Sequence, residues 1–551
     1  MARVLGVNAV FHDPAAAIVI DGEIVAAAEE ERFSRRKHGK VPVAFSTWEM
    51  PEQSAGWCLE RAGVAPSDLD AVAYSYDPAL APPAADVTDG RWEGLRTLYA
   101  QRAPLFLRTF LPGLDPGVVR FVPHHVAHAA SAYLAAPHPS SAVLVLDGRG
   151  ERGSYLAGHA LGGELRALAV SPLPNSLGLV YEELTAHLGY RRSSDEYKVM
   201  ALASYGQPRH LDRFRDWIRV HADGTFTTAA VPWDELAPPG RGDGTLDPVH
   251  ADLASSVQTR LQEVILDLAA WVHERTGESA LTMAGGVALN CVANSHVYEH
   301  GPFDHVWVQP AAGDAGTALG AALYVAHALG DRITPMPTAA LGRDWRDDEL
   351  RSVLDHAHVP YDEPADVAEA VAAVLAADGI VAWFQGRSEF GPRALGHRSL
   401  LSHPGRRENL ERLNDVKGRE QFRPVAPMVL LERAPELFEG GPIPSPLMLF
   451  THRVRREWVE RIPAVVHVDG TARIQTIDAT EEPLMHRCIR AFERRTGLPV
   501  VVNTSLNTAG RPMVDDPRDA LECFGSAPVD LLAIGPFVVQ RATAFAHRIS
   551  A

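Results

Sequence analysis

The sequence predicts an α/β protein whose N-terminal part is a duplicated nucleotide-binding fold of the actin-like or sugar-kinase-like class. Apolar strand-like runs alternate with helix-like segments, and glycine-rich turns follow several of the strands. Two strand–glycine–helix segments also match each other closely, "ALTMAGGVALN" at 280–290 and "HVWVQPAAGDAGTALGAALYVAHALG" at 305–330. This repetition indicates that one βα scaffold occurs twice.

Hydrophobic periodicity and turn-forming residues predict the first strands and helices of the chain. "RVLGVNAV" at 3–10 and "AAAIVIDGEIVAAAEEER" at 15–32 predict three strands, with Asp21–Gly22 as a hairpin turn. A helix is expected at 50–63 and a strand at 70–76. Beyond them, the pattern predicts a helix after Pro123, a buried strand ending in Asp147 and a long helix closed by Gly277.

A change of texture marks a domain boundary. The segment "DRITPMPTAALGRDWRDD" at 331–348 is rich in proline and charge and has no regular period. After it come the helix "PADVAEAVAAVLAADG" and the strand "IVAWFQG". We therefore expect two domains, residues 1–344 and 345–551.

Composition excludes several classes of protein. The formal net charge of the 551 residues is -17, which disfavours nucleic-acid binding through phosphates. No apolar stretch is long enough to predict a membrane span. The four cysteines are scattered, and the first residues read directly into a strand without a signal peptide. These features favour a cytoplasmic enzyme that acts on small molecules.

Four glycine-containing turns are candidate phosphate-binding loops, because glycine lets the backbone approach a phosphate at the start of a helix. They are "GVNAVFHD", "LDGRGERG", "AGGVALN" and "AAGDAGTALG". None contains the GxxxxGK[ST] pattern of P-loop NTPases, and no GxGxxG motif follows the first strand. With these two classes excluded, we interpret the glycine turns as parts of an actin-like ATP site.

The stretch "FVPHHVAHAASAY" at 121–133 is a candidate metal site. His124 and His128 are four residues apart and share one face of a helix. A zinc protease of the H-E-x-x-H type is excluded, because His125 stands where that motif needs glutamate. With Asp147 and Asp314, the pair could hold iron, manganese or zinc. The alternative is that Asp147 caps a turn, Asp314 starts a helix and the histidines are ordinary.

Longer motifs resemble the NodU/CmcH carbamoyltransferase family, some of whose members act in antibiotic biosynthesis. In the first half these are "FHDPAAAIV…AAAEEERFSRRKHG", "HHVAHAASAY", "LDGRGE", "AGGVALN" and "GDAGTALGAA". In the second half they are "GRSEFGPRALGHRSLLSHP", "NDVKGREQFRPVAP" and "VVNTSLN". The resemblance covers nearly the whole chain.

The resemblance implies an N-terminal domain similar to the threonylcarbamoyl-adenosine tRNA-modification ATPase, with an iron site or another divalent transition metal. Carried over, the ligands are His124, His128, Asp147 and Asp314, whereas His125 is expected to face elsewhere. ATP would lie against a set of loop residues, namely Gly285, Gly286, Asn290, Gly313 and Gly316.

The second domain resembles YrdC, whose K-x-R…S-x-N signature appears here as Lys417, Arg419, Ser505 and Asn507. Basic groups bind phosphates, and arginine does so in bidentate fashion. The resemblance implies a pocket for carbamoyl phosphate and ATP, the latter with Mg²⁺. Four further residues are candidates for this pocket: Arg423, Arg393, His397 and Arg398.

The implied reaction is ATP-dependent O-carbamoyl transfer. Carbamoyl phosphate and ATP would give carbamoyl-adenylate, and the carbamoyl group would pass to a hydroxyl of a small-molecule acceptor. His12 is the candidate base for that hydroxyl, and Asp13 competes for the role. The acceptor stays open among aminoglycosides, cephems, macrolide-type products and chitin oligomers.

Two other functions stay open. A tRNA-modifying enzyme of the threonylcarbamoyl type fits the resemblance of the two domains to the threonylcarbamoyl-adenosine ATPase and to YrdC. It does not fit the net charge of -17. A non-catalytic, actin-like ATP-dependent regulator fits the N-terminal domain but does not need a second phosphate pocket.

Overall fold

The computed structural model describes residues 2–39, 49–83, 90–508 and 510–545. The chain divides into two compact units, Met1–Thr338 (unit 1) and Ala339–Ala551 (unit 2). This division lies within the segment 331–348, a few residues before the position expected from the sequence. Among the described residues, no helix is both long and apolar enough to cross a membrane.

Unit 1 contains twelve of the described strands. They are β1 Arg3–Asn8, β2 Ala15–Ile20, β3 Glu23–Glu29, β4 Ala71–Tyr74, β5 Val119–Phe121, β6 Ser140–Leu146, β7 Gly153–Leu161, β8 Glu164–Pro172, β9 Ile218–Val220, β10 Phe226–Thr228, β11 Ala280–Ala284 and β12 His305–Val308. Its described helices are α1 Glu31–Ser34, α2 Glu52–Ala62, α3 Gly90–Phe110, α4 His124–Tyr133, α5 Leu177–His187, α6 Glu196–Ala203, α7 Leu211–Trp217, α8 Trp233–Leu236, α9 Pro248–Thr276, α10 Cys291–His300 and α11 Ala315–Ala328.

The two large sheets of unit 1 repeat one topology. Their strand orders are β3-β2-β1-β4-β5 and β12-β11-β6-β7-β8. In each, the first three strands along the chain are antiparallel neighbours, and the fourth and fifth add in parallel. A long helix precedes the fourth strand in both, α2 and α9, and another follows the fifth, α4 and α11. This duplication confirms the predicted actin-like α/β class.

The predicted local signals of unit 1 are also present. Asp21 and Gly22 both have positive φ, of 54° and 79°, as a type I′ hairpin turn requires. Gly277 closes α9 with φ 66° and donates its N–H to His273 O. Helices α4 and α11 approach so closely that a Cβ on Gly320 would lie 1.8 Å from Ala127 O. This contact holds the histidine helix beside the N-terminal part of α11.

Unit 2 is also α/β, with a seven-stranded mixed sheet in the order β19-β15-β20-β14-β13-β21-β22 and a small sheet β16-β17-β18. The strands are β13 Val381–Phe384, β14 Arg398–Ser402, β15 Ala426–Leu430, β16 Phe438–Glu439, β17 His452–Val454, β18 Thr471–Ala472, β19 Gln475–Ile477, β20 Val500–Ser505, β21 Leu531–Ile534 and β22 Phe537–Gln540. The helices are α12 Asp347–His356, α13 Val367–Ala376, α14 Glu408–Val416, α15 Ala434–Leu437, α16 Arg456–Val459, α17 Pro483–Thr496, α18 Pro517–Ser526 and α19 Arg541–Ala544.

Sheet register determines where the site residues of unit 2 lie. Arg398 begins β14 and pairs with Phe384 at the end of β13, and Ser505 at the end of β20 pairs with Ser399. All of these residues therefore lie at one edge of the sheet. The sheet is embedded in an apolar core that includes Trp383, Phe384 and Phe492.

Candidate functional site

Four predicted metal ligands converge in unit 1. His124 and His128 lie on α4, Asp147 follows β6, and Asp314 immediately precedes α11. Glu151 fixes the start of α4, because its carboxylate accepts the His124 N–H at 2.8 Å. Asp147 is held by the Gly286 N–H, which donates to its Oδ1 at 3.0 Å. Asp314 does not cap α11 with its side chain. The double glycine therefore positions one carboxylate and the helix start positions the other.

The four side chains point at one another. His124 Nε2 lies 3.5 Å from Asp147 Oδ2 and 3.6 Å from Asp314 Oδ1. His128 Nε2 lies 3.8 Å and 3.5 Å from the same two atoms. One ligand atom from each residue falls within 4.8 Å of all the others. Ligand atoms that share an ion at about 2.1 Å are roughly 3.0–3.4 Å apart, so these separations slightly exceed those of a closed site.

Proton positions at His124 favour a cation in this cluster. Its Nδ1 lies 3.2 Å from Ser75 O, which only accepts, so Nδ1 carries a proton. In the neutral ring, Nε2 then presents a lone pair towards two carboxylates. Both Nε2 atoms, of His124 and His128, are buried without a hydrogen-bond partner. An added proton or metal ion would remove this repulsion, and the donor set of two imidazoles and two carboxylates fits a transition metal.

The charge of the cluster is reflected in its pKa values. Burial would lower the pKa of His124, but the two carboxylates that face it, Asp147 and Asp314, raise it well above its usual value. Burial lowers the pKa of His128. For both carboxyl groups, burial would raise the pKa, but the neighbouring imidazoles hold it below its ordinary value. The carboxylates are therefore ionised at neutral pH, as metal ligands must be.

The expectation that His125 faces elsewhere is wrong. Its Nε2 lies 3.7 Å from Asp147 Oδ2 and is buried without a hydrogen-bond partner. Residues one apart on a helix diverge by about 100°, which suggested a different face. Asp147 is nevertheless within reach of all three histidine side chains.

The candidate bases His12 and Asp13 belong to a second cluster in the loop after β1. Asp13 Oδ2 lies 2.8 Å from His12 Nδ1, and Asp13 Oδ1 lies 2.9 Å from His38 Nδ1. Burial would raise the pKa of Asp13, but the two imidazoles hold it well below its usual value. Asp13 is therefore ionised, and both of its carboxylate oxygens are hydrogen-bonded to imidazole rings. This makes it a poor general base. Phe11 links this cluster to the first, with its ring edge-on to His124 at 5.2 Å.

The predicted nucleotide loops have contrasting surroundings. Gly285 has φ 94°, and a Cβ there would lie 2.2 Å from Leu146 O. At Gly313 a Cβ would meet only Leu289 Cδ1, at 3.8 Å, so this turn has an open side. Asn290 caps α10 by accepting the Ala293 N–H and exchanges amide hydrogen bonds with Gln258. Its visible role is therefore to hold the loop.

Lys417 of unit 2 meets the other half of its predicted signature. Its Nζ donates to Ser505 O at 2.6 Å, to Ser505 Oγ at 3.0 Å and to Asn507 O at 3.3 Å, and it also bonds Asn507 Oδ1. The Lys417 side chain lies at the end of α14, and its partners lie at the end of β20. The structure therefore brings Lys417, Ser505 and Asn507 together.

Three other candidates of unit 2 have partners within the protein. Arg419 Nε donates to Asn414 Oδ1 at 2.5 Å, and Arg423 lies 3.5 Å from Glu420 Oε2. His397 Nε2 lies 3.1 Å from Glu482 Oε1. Burial would lower the pKa of His397, but hydrogen bonding to Glu482 and the charge of Glu389 raise it. Arg393 has a buried guanidinium Nε.

Arg398 has a structural placement that argues against phosphate binding. It is fully buried, and its guanidinium donates to four backbone carbonyls, those of Gln385, Gly386, His397 and Arg343. Its guanidinium carbon also lies 3.8 Å above the Phe384 ring. The guanidinium fixes the loop that follows β13.

Sequence reasoning missed several features of both units. His38 and Ser194 join the His12 cluster, and Glu196 nearby has a pKa raised by burial to about 7. His38 stands inside the quoted "RRKHG" motif, which could have indicated it. Unit 2 has a cavity of about 510 Å³ beside Phe384, Gly386 and Gly535. Both glycines have positive φ, but the sequence alone gave no sign of this cavity.

Comparison with known proteins identifies the family of the chain. A model described as "Carbamoyltransferase N-terminus" matches residues 3–81 and 110–323, and one described as "Carbamoyltransferase C-terminus" matches 372–541. Nodulation protein NolNO of Sinorhizobium fredii is 37% identical, over 98% of this chain and 80% of its own. An uncharacterized protein of Synechocystis sp. is 35% identical, over 98% and 97%. Nodulation protein U of Rhizobium tropici is 30% identical, over 94% and 93%.

A solved structure, HypF of T. kodakarensis, aligns with 60% of this chain and 48% of its own, with a TM-score of 0.37 and 15% identity. The fold assignment rests on the duplicated sheet topology instead. Because both family models and relatives above 30% identity cover most of the chain, it belongs to the carbamoyltransferase family of enzymes.

Proposed function

We propose that the chain is an ATP-dependent O-carbamoyltransferase with separate half-reactions in its two units. Unit 2 would form carbamoyl-adenylate from carbamoyl phosphate and ATP. Unit 1 would transfer the carbamoyl group to a hydroxyl of a small natural product, as in antibiotic biosynthesis. The observation that carries this proposal is that each unit has its own cluster of polar groups, cationic in unit 2 and histidine–carboxylate in unit 1.

In unit 2, water would cleave carbamoyl phosphate to carbamate and phosphate. A carbamate oxygen then attacks the α-phosphorus of ATP and releases pyrophosphate, with Mg²⁺ accompanying the nucleotide. The four acceptors of Lys417 are backbone carbonyls, a hydroxyl and an amide, all uncharged. They do not neutralise the ammonium, so a phosphate oxygen would replace one of them and gain a charge-assisted contact. Arg419 and Arg423 would add to this phosphate binding.

In unit 1, His12 would accept the proton of the acceptor hydroxyl as its oxygen attacks the carbamoyl carbon and AMP leaves. Its Nδ1 hydrogen bond to Asp13 makes Nε2 the basic nitrogen. The glycine turns at 285–286 and 313–316 would hold the nucleotide part of carbamoyl-adenylate.

His124, His128, Asp147 and Asp314 would hold iron or another divalent transition metal. The buried imidazole nitrogens without partners support this assignment. Such an ion would supply positive charge to position phosphate oxygens. The cysteines Cys58, Cys291, Cys488 and Cys523 are all buried thiols, which fits a protein of the cytoplasm.

Two single variants test the division of labour. Lys417→Ala should lower pyrophosphate release from carbamoyl phosphate and ATP about ten- to a hundredfold, because a charge-assisted contact is worth about 1.5–3 kcal/mol. His128→Ala should keep that release and stop carbamoyl transfer, read as a carbamoyl mass gain on a panel of hydroxylated acceptors. Preformed carbamoyl-adenylate should rescue Lys417→Ala alone.

Arg412→Ala is the matched control for Lys417→Ala, since Arg412 lies on the same helix and bonds Asp378 and Asn409. It should keep full pyrophosphate release. Equal loss of release in Lys417→Ala and His128→Ala, with both folded, would show that one composite site does all the chemistry. Salt-sensitive tRNA binding in place of small-molecule transfer would favour the tRNA-modifying alternative.

A further inference from the structure

The His12 cluster of unit 1 extends through a continuous chain of hydrogen bonds to Ser194. His12 Nδ1 and His38 Nδ1 contact opposite oxygens of Asp13 at 2.8 and 2.9 Å. His38 Nε2 lies 2.8 Å from Ser194 Oγ. The residues come from three separate places along the chain: the loop after β1, the turn after α1, and the loop before α6. Nothing in the metal cluster requires this second arrangement.

Backbone conformation shows that the chain holds these residues at a cost. Phe11, Asp13, His38 and Ser193 all have positive φ, of 65°, 44°, 62° and 53°, although none is glycine. Such conformations are unfavourable for residues with a Cβ and concentrate at functional sites. Further contacts enforce them. Asn8 Nδ2 donates to His12 O and Asp13 O, and the His38 N–H donates to Glu31 Oε2.

The proton positions follow from the chemistry of the partners. An ionised Asp13 only accepts, so both Nδ1 atoms carry protons. Burial lowers the pKa of His38, which keeps this ring neutral near pH 7. Its Nε2 must then accept, and the Ser194 hydroxyl donates to it. Both nitrogens of His38 are therefore engaged, one by Asp13 and one by Ser194, which leaves no nitrogen of this ring to deprotonate a bound hydroxyl.

We propose that His38 and Ser194 are positioning residues that hold His12 in its reactive tautomer. Ser194 fixes the tautomer of His38, and His38 anchors one oxygen of Asp13. The other oxygen then binds His12 Nδ1–H, which leaves the basic lone pair on His12 Nε2. This inference deepens the proposed function, because it rests on His12 as the base for the acceptor hydroxyl.

The kinetic test compares three variants of the full chain. His38→Ala should lower kcat of carbamoyl transfer about ten- to a hundredfold, as loss of an outer-shell partner does, with the acceptor KM and pyrophosphate release unchanged. His38→Gln should recover part of the loss, because its amide N–H can donate to Asp13. Ser194→Ala should cause a smaller loss of kcat. His221→Gln is the matched control, since His221 makes a similar hydroxyl contact with Thr227 at an exposed site.

A second, spectroscopic test of the His12 tautomer does not require the acceptor to be known. Imidazole ¹⁵N shifts should show His12 as the Nδ1–H tautomer in the unaltered protein and as a tautomer mixture in His38→Ala. An unchanged His12 tautomer would overturn the proposal. So would a raised acceptor KM with kcat intact, or a carbamoyl group found on Ser194, which would make that hydroxyl a nucleophile. If the unaltered enzyme transfers no carbamoyl group, the proposed function fails, and the tautomer still decides the positioning role.

Discussion

The histidine–aspartate cluster of unit 1 and the Lys417 site of unit 2 satisfy their buried polar groups in opposite ways. In unit 1, the Nε2 atoms of His124 and His128 are buried without partners and face two carboxylates. In unit 2, Lys417 bonds four oxygen atoms of Ser505 and Asn507. Buried polar groups without partners are costly, so the unit 1 cluster is complete only with an added cation. The Lys417 ammonium already has acceptors for its three N–H groups, and a phosphate would have to replace one of them.

The largest expected effect concerns metal binding by the histidine–aspartate cluster of unit 1. Removing both imidazoles, in His124→Ala combined with His128→Ala, should abolish metal binding, because two carboxylates alone hold transition metals weakly. Elemental analysis of the purified protein should fall from about one ion per chain to none. Lys417→Ala should keep its metal.

Another histidine pair provides the matched control. His296 and His300 have the same spacing on α10, with ring centroids 4.5 Å apart, but lie nearer the surface. Their double alanine variant should retain the metal. Equal metal content in both double variants would remove the assignment of His124 and His128 as ligands.

The second prediction concerns the free energy of unfolding. It distinguishes a buried structural cation of unit 2, Arg398, from an exposed one, Arg461. Arg398→Ala should lower the free energy of unfolding by about 3 kcal/mol or more, because several buried carbonyls lose their donor. Arg461→Ala is the control. Its guanidinium carbon also lies 3.8 Å above an aromatic ring, that of Trp458, but its side chain is exposed. It should cost less than about 1 kcal/mol.

Denaturant unfolding followed by tryptophan fluorescence measures both changes. A folded Arg398→Ala of unaltered stability that has lost ATP binding would instead return Arg398 to the phosphate pocket.

The difference between the two units also explains what the sequence could predict. Helical spacing predicts that His124 and His128 share one face, and Asp147 and Asp314 were added from their places in a strand end and a glycine loop, so the cluster of four could be predicted from local rules. Glycine turns also led to the predicted duplicated class, but the two that match closely follow β11 and β12, which are neighbours in one sheet. The duplication itself, of one whole sheet by the other, is visible only in the strand orders. Lys417, Ser505 and Asn507 were grouped by their resemblance to a known signature.

Other roles depend on tertiary structure that no local pattern contains. Arg398 binds carbonyls left unpaired by the loop after β13, and only the folded chain shows which carbonyls those are. His38 meets Ser194, which is 156 residues away, and both His38 and Ser193 have positive φ, which the sequence does not indicate. For His125, helical phase alone gave the wrong expectation, because its Nε2 lies 3.7 Å from Asp147 Oδ2.

The smallest expected effect compares two glycines of one turn in unit 1, Gly313 and Gly316. A Cβ at Gly316 would lie 2.0 Å from Ala311 O, whereas at Gly313 it would meet only Leu289 Cδ1 at 3.8 Å. Gly316→Ala should therefore lower the unfolding free energy by about 1–3 kcal/mol. Gly313→Ala should leave stability unchanged but weaken ATP binding by about 1 kcal/mol, roughly fivefold, if the nucleotide occupies the open side of the turn.

Calorimetry in the Lys417→Ala background measures this affinity with little binding from unit 2. Pyrophosphate release, measured with Lys417 intact, should be the same in Gly313→Ala as in the unaltered enzyme, because that reaction belongs to unit 2. Unaltered ATP affinity in a stable Gly313→Ala would mean that the open side of this turn does not contact the nucleotide. The duplicated glycine turn would then serve only to place Asp314 beside the histidines, since Gly316 N–H donates to Gly313 O at the start of α11.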